Sequence, residues 1–68
     1  MKITIEDLKT NTTVDIYRKS IDCINIGHKM VVNYVDKDAK LKTIEGVVCS
    51  ITHTIAEDWT KTTYIKIY

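Results

Sequence analysis

The sequence predicts an all-β fold, built as a small five-stranded antiparallel barrel or as an orthogonal two-sheet sandwich. Ile, Val and Thr supply 27 of the 68 residues, and four Tyr and one Trp add to them; all of these residue types favour strands. Only two Leu and two Ala are present, so a long amphipathic helix has little to be built from. Five segments also have the length and hydrophobic pattern of strands, and polar turns separate most of them.

The first and last strands show the clearest alternation of apolar and polar residues. Residues 2–6 place Ile3 and Ile5 on one face, which is the pattern of a half-buried strand. Residues 62–68 alternate in the same way. A polar, turn-rich loop leads from the first strand to a second alternating segment at residues 14–17, so these two strands can form a hairpin with a long loop.

The middle of the chain predicts the strongest hairpin. Residues 30–35 form a strand, residues 36–40 a charged turn, and Leu41–Ile55 the returning strand. Residues 30–35 are apolar on both sides apart from Asn33, which indicates that both faces of this strand are covered. A chain of this size has few residues to spare for such a cover, so a homodimer is one open alternative.

The returning strand is long and contains one glycine. Its 15 residues compare with a typical strand length of about 5–6, and the alternation breaks around Gly46. A lone glycine inside a strand marks a bulge or a bend. A bend there allows one strand to serve two sheets, as in small barrels.

Ahead of this hairpin, residues 20–29 fit neither the helical nor the strand period, and we interpret them as an irregular approach to a turn at Gly27. From Gly27 onward the spacing resembles that of the central hairpin of SH3-like barrels, over about residues 26–52. The positions that carry the resemblance are Gly27, Val31, Ile44, Gly46, Val48 and Ile51. The resemblance lies in spacing, so it implies a fold and no function.

Length and charge exclude several classes of protein. Sixty-eight residues form one domain, residues 1–68, with little interior for a deep cleft. The formal net charge of +1 argues against a polybasic nucleic-acid tail and against an acidic DNA mimic. No stretch approaches the roughly 18–20 apolar residues of a membrane span, and the first residues lack the apolar core of a signal peptide. We therefore expect a cytoplasmic protein with no membrane partner.

The cysteines and histidines do not predict catalysis or metal binding. Cys49 and His53 share a strand face but lie roughly 13 Å apart at about 3.3 Å per residue, too far for a nucleophile and its base. Cys23 and His28 lie in the irregular segment, and the spacing within either pair differs from that of paired zinc ligands. In a reducing compartment both cysteines stay thiols. The sequence thus predicts a protein that is not an enzyme and that has no cofactor and no metal.

The outer face of the last strand is the most informative surface. Alternation places Thr63, Ile65 and Ile67 toward the core, and it places Tyr64, Lys66 and Tyr68 toward solvent. Trp59 lies in the turn just before this strand.

Two functions fit this aromatic and basic stripe. Aromatic and basic side chains together can bind single-stranded nucleic acid, but Trp and Tyr are also the usual anchors of protein interfaces. Acidic residues near the lysines favour the protein partner, and an ordinary solvent-facing strand has the same composition. The predicted partner-binding residues are Trp59, Tyr64, Lys66 and Tyr68.

The sequence therefore predicts a non-enzymatic binding module that recognises a protein partner through its surface. A weak module for single-stranded nucleic acid is the alternative. The excess of Ile, Lys, Asn and Tyr over Gly, Ala, Arg and Pro is typical of an AT-rich coding sequence. This bias is consistent with a phage or mobile-element accessory protein that modulates a host component.

Overall fold

A computed structural model describes residues 1–17 and 24–68, and it confirms the all-β prediction. Of the segment predicted to be irregular, residues 20–23, including Cys23, lie outside the described residues. Residues 24–28 are not in a strand, and Gly27 lies in a turn there with φ of 93°. The strands are β1 (Lys2–Asp7), β2 (Thr12–Tyr17), β3 (Lys29–Val35), β4 (Leu41–Ile55) and β5 (Lys61–Ile67).

The strands form one curved sheet, in the order β2-β1-β5-β4-β3, that is nearly closed into a barrel. Three strand pairs are antiparallel, whereas β1 and β5 run parallel. A short turn forces antiparallel pairing only on the strands that it joins, and no such turn joins β1 to β5. The sheet is therefore mixed, and β2 and β3 are its two edges.

Strand β4 serves two partners, as its length predicts. Leu41–Val47 pairs with β3, and Val48–Ile55 pairs with β5. The register shifts between Val48 and Ser50, so the irregularity lies just beyond Gly46, the residue that predicted it. This shared strand joins the β3–β4 hairpin to the rest of the sheet.

The core lies on the concave side of the sheet and is small. Alternate residues of the strands point into it, so the faces predicted for β1 and β5 are confirmed. Thr63 is buried with them, and its hydroxyl lies 2.9 Å from His53 Nδ1 and donates to Met1 Sδ at 3.7 Å, which satisfies the buried polar group. The buried apolar residues are Ile3, Ile5, Val14, Val32, Ile44, Val48, Ile65 and Ile67.

The expectation that both faces of β3 are covered is wrong. On the inner face Val32 is buried, but on the outer face Val31 is 51% exposed and Val35 is 64% exposed. The physical reason is that a single curved sheet covers only its concave side. The apolar pattern of β3 therefore continues on a surface that this chain leaves open.

Gly46 allows the end of β5 to close onto β4. A Cβ at this position would lie 3.1 Å from the backbone N, C and O atoms of Tyr68. Tyr68 N–H donates to Val47 O at 3.0 Å, and Val47 N–H donates to Tyr68 O at 3.0 Å. The close approach needs glycine because any side chain would push these two backbones apart.

Aspartate side chains organise the hairpin turns. Asp36 Oδ1 accepts the backbone N–H groups of Asp38 and Lys40, both at 2.9 Å, and its Oδ2 lies 3.3 Å from Lys42 Nζ. The backbone hydrogen bond from Lys40, followed by the hydrogen bond from Lys42, lowers the pKa of Asp36 below 3.8. The ionised form of Asp36 is therefore the one that holds the β3–β4 turn.

We predict that Gly46→Ala lowers the free energy of unfolding by about 1–2 kcal/mol, because the new methyl group meets backbone rather than a flexible side chain. Chemical denaturation measures the change. The matched control is the same substitution in a chain lacking Tyr68. There the contacts with Tyr68 C and O are gone, while a terminal carboxylate oxygen of Ile67 takes the place of Tyr68 N. The loss should therefore be clearly smaller, since fewer atoms meet the methyl group and Ala is preferred to Gly in a strand. An equal loss in both backgrounds would contradict this account.

The lowered pKa of Asp36 predicts a pH dependence. The pKa of Asp36 is lower in the folded protein than in the unfolded chain. Its contribution to the free energy of unfolding is therefore fully present above pH 3.8 and is lost as the pH falls through the folded pKa. The stability difference between the wild type and Asp36→Asn should therefore shrink on acidification below pH 3.8. Denaturation curves at several pH values and an NMR titration of the carboxyl carbon measure this. A carboxyl that titrates at or above 3.8 would refute it.

Candidate protein-binding surface

Trp59 lies at the tip of the β4–β5 hairpin, in a turn that the backbone holds closely. Trp59 N–H donates to Ala56 O at 2.9 Å, and Ala56 N–H donates to Thr60 O at 3.0 Å. Thr60 N–H in turn donates to Asp58 Oδ1 at 3.0 Å. Trp59 is 83% exposed, so the turn presents its indole ring to solvent.

The backbone of Trp59 is in an unfavourable conformation. Its φ is 66°, in the left-handed region that costs a residue with a side chain about 1–2 kcal/mol. Within residues 1–17 and 24–68, the other non-glycine residues with positive φ are Asn11 and Ala39. Asn adopts this conformation readily, whereas a bulky residue there is an outlier.

The β3–β4 turn offers an internal comparison. Ala39 N–H donates to Asp36 O at 3.1 Å, Asp36 N–H donates to Lys40 O at 3.0 Å, and Ala39 has φ of 60°. Ala39 thus occupies in this turn the position that Trp59 occupies in the other. The turn geometry therefore needs no large side chain, and the indole of Trp59 is available for contacts outside the fold.

The tip carries more negative than positive charge. Glu57 and Asp58 precede Trp59, and Lys61 follows it; all are exposed. Hydrogen bonding to the Thr60 side chain, followed by that to its backbone N–H, lowers the pKa of Asp58 below 3.8, so this carboxylate is ionised at neutral pH. Two carboxylates beside the indole oppose the approach of a phosphate backbone.

The three predicted residues of β5 lie on its outer face, as alternation predicts. Tyr64 is 44% exposed, Tyr68 is 66% exposed and Lys66 is exposed. In register, Lys66 lies between Glu6 of β1 and Ser50 of β4, and Tyr64 lies between two threonines. An acidic neighbour beside the one lysine of the stripe reduces its attraction for phosphate.

The structure brings these three residues together but separates them from Trp59. At about 3.3 Å per residue, Trp59 lies up to roughly 17 Å from Tyr64, and Tyr68 lies roughly a further 13 Å along the strand. The four predicted residues thus form a line from the hairpin tip along β5 rather than one compact patch.

A groove that the sequence did not predict lies between the two edge strands. Its volume is about 520 Å³, and it is lined by residues 12–16 of β2 and by residues 33–37 at the end of β3. Val14 and Tyr34 belong to the inner faces of these strands. The groove marks where the sheet stops short of closure. No local pattern could have revealed it, because it depends on which strands are left at the edges.

The cysteine and histidine of β4 do not form a common site. Cys49 Sγ donates to Lys66 O at 3.3 Å, whereas His53 contacts Thr63. In the part of the chain that the structure describes, no group of three or more His, Cys, Asp or Glu side chains could hold a metal ion. The same residues contain no helix with the length and apolarity needed to cross a membrane. Cys23 lies outside the described residues, so its position relative to His28 is not described.

The strain at Trp59 predicts that its removal stabilises the fold. Trp59→Gly should raise the free energy of unfolding by about 0.5–1 kcal/mol, because relief of the left-handed strain exceeds the entropy cost of glycine. Ala39→Gly in the equivalent turn is the matched control and should give a similar gain. Thermal and denaturant unfolding measure both. If Trp59→Gly destabilises the protein while Ala39→Gly stabilises it, the indole contributes to the fold and is not free for a partner.

No protein-family model, curated protein or solved structure matches this chain.

Proposed function

We propose that this protein is a non-enzymatic binding module that recognises a protein partner through the tip of its β4–β5 hairpin. Trp59 is the anchor, and Tyr64, Lys66 and Tyr68 extend the contact along β5. The observation that carries the proposal is the conformation of Trp59, which combines 83% exposure with φ of 66°. The left-handed backbone of Trp59 costs free energy, and the turn does not need the indole. Binding by the side chain best explains why this residue is found there.

The size of the indole makes it a sufficient anchor. A Trp side chain buries about 150–250 Å², and most of that area is open at Trp59. At about 25 cal/mol per Å², its burial by a partner contributes roughly 3–5 kcal/mol, which is the scale of an interface hot spot. The hydrogen-bonded turn also holds the residue in place before binding, which reduces the entropy cost of association.

The charges beside the anchor define the partner surface. Two carboxylates flank the indole on one side and Lys61 follows on the other, so the partner should offer an apolar pocket with cationic groups at its rim. The negative charge of the tip and the position of Glu6 beside Lys66 both favour a protein partner over a nucleic acid. From the AT-rich composition, we propose that this partner is a cytoplasmic host component modulated by a phage or mobile-element protein.

Trp59 is the single tryptophan of the chain, so its fluorescence reports its own burial. A pull-down from host lysate identifies the candidates for purification. These are the proteins that the wild type retains and Trp59→Gly does not. Titration with the purified partner should shift the emission to shorter wavelength. Trp59→Gly removes the fluorophore, so calorimetric titration compares the two proteins; the substitution should weaken binding by about 30-fold or more, corresponding to about 2 kcal/mol.

Two further variants test which surface is used. Ile26→Ser is the control, because Ile26 is 67% exposed and its neighbour Gly27 bonds to Val48 O, at the end of β4 and β5 that is far from the tip; it should leave the affinity unchanged. Tyr64→Ser combined with Tyr68→Ser should weaken binding by less than about tenfold. Equal affinity of the wild type and Trp59→Gly would refute the proposal. An emission shift given only by a single-stranded oligonucleotide, with steep salt dependence, would support the nucleic-acid alternative instead.

A further inference from the structure

The outer side of the β3–β4 hairpin is a surface that the proposed function does not use. We call it the β3–β4 outer face. Its four exposed apolar side chains are Val31 at 51%, Val35 at 64%, Leu41 at 74% and Val47 at 47%. The complete face comprises Lys29, Val31, Asn33 and Val35 of β3 and Leu41, Thr43, Glu45 and Val47 of β4.

Two features of this face favour a partner there, although a single chain leaves it exposed. An apolar run on both sides of a strand is typical of strands buried on both faces, and the structure buries only the inner side of β3. Contiguous apolar groups on a small soluble domain also mark an interaction surface.

We infer that a second copy of this chain covers the β3–β4 outer face and forms a two-fold symmetric dimer. The register is the first argument, because Val35 lies directly opposite Leu41. A two-fold axis parallel to the strands lays β3 of each copy over β4 of the other. Val35 of one copy then packs on Leu41 of the other, and the reverse contact follows by symmetry.

The charges of this face are complementary to themselves. Lys29 Nζ lies 3.7 Å from Glu45 Oε1 within one chain, so the face holds one cation and one anion. The same axis lays Lys29 of one copy over Val47 of the other, and Val31 over Glu45. Lys29 and Glu45 of opposite copies are then diagonal neighbours, and their long side chains can pair across the interface.

The polar centre of the face is partly satisfied within one chain. Thr43 Oγ1 donates to Asn33 Oδ1 at 2.7 Å, so part of the hydrogen-bonding capacity of this pair is satisfied before the copies meet. Two sheets that pack face to face lie about 10 Å apart, which leaves room for both pairs at the centre of the interface.

The face is smaller than a standard protein interface. The chain exposes 5145 Å², and a standard interface takes about 800 Å² from each partner, or about one-sixth of that surface. One side of one hairpin supplies less than this. We therefore expect a weak dimer, with a dissociation constant in the micromolar range. The dimer face is separate from the Trp59 tip, so either proposal can fail without the other.

Sedimentation equilibrium, from low micromolar to near-millimolar protein, tests the inference. The wild type should pass from monomer to dimer in this range. Val35→Thr combined with Leu41→Thr keeps strand-forming residues but removes apolar surface, and it should raise the dissociation constant by about tenfold or more. Ile55→Thr is the matched control, because Ile55 is 60% exposed and lies outside the face; it should leave association unchanged. Circular dichroism verifies that each variant is folded.

A charge exchange tests the arrangement of the two copies. Lys29→Glu alone places like charges together within and between copies, so it should weaken the dimer. Lys29→Glu combined with Glu45→Lys restores every pair and should restore association. A protein that stays monomeric at all concentrations would overturn the inference. So would a dimer that Val35→Thr with Leu41→Thr does not weaken, since its interface would then lie on the sheet edge or in the groove.

Discussion

The division of β4 between two partners is the constraint on which the rest of this structure depends. The first half of the strand pairs with β3 and the second half with β5, so a single sheet curves around the core without a second layer. Gly46 permits this, because the backbone of Tyr68 approaches it more closely than a side chain would allow. A side chain at this position would push the backbone of Tyr68 outward and weaken its hydrogen bonds to Val47.

This curvature also determines which apolar surface the chain leaves exposed to solvent. Eight buried apolar residues fill the concave side, and the described residues supply no second layer for the convex side. The outer face of β3 is therefore left exposed although its residues are those of a buried strand. The two edge strands leave a groove between them for the same reason: five strands almost close the barrel but do not complete it.

Local patterns predicted those features that depend only on neighbouring residues. The alternation of β1 and β5 identified which side chains are buried, since strand geometry fixes the side of each residue. The parallel pairing of β1 with β5 and the groove were not predictable, because they depend on contacts between residues far apart in the chain. The same holds for the open face of β3. The left-handed conformation of Trp59 was missed for another reason: its turn lacks the Gly or Asn that usually signals this geometry.

The candidate site also has features that the sequence predicts and features that only the structure reveals. Tyr64, Lys66 and Tyr68 share an outer face because of their spacing, which a sequence displays. Trp59 was predicted as a partner-binding residue from its residue type, but two of its features are visible only in the structure: its left-handed backbone, and its equivalence to Ala39, which occupies the same turn position without a large side chain. Exposure by itself would not distinguish Trp59 from Tyr17, which is 76% exposed.

The two proposed surfaces can reinforce each other. One Trp59 tip supplies a single anchor of a few kcal/mol, which alone gives modest affinity and fast release. A dimer through the β3–β4 outer face leaves both tips free, since the tips belong to the other end of β4. For a target with two sites, the second contact is then intramolecular, and avidity can exceed the single affinity by about 10² or more. A small chain with no interior to spare can therefore gain strength of binding by symmetry rather than by size.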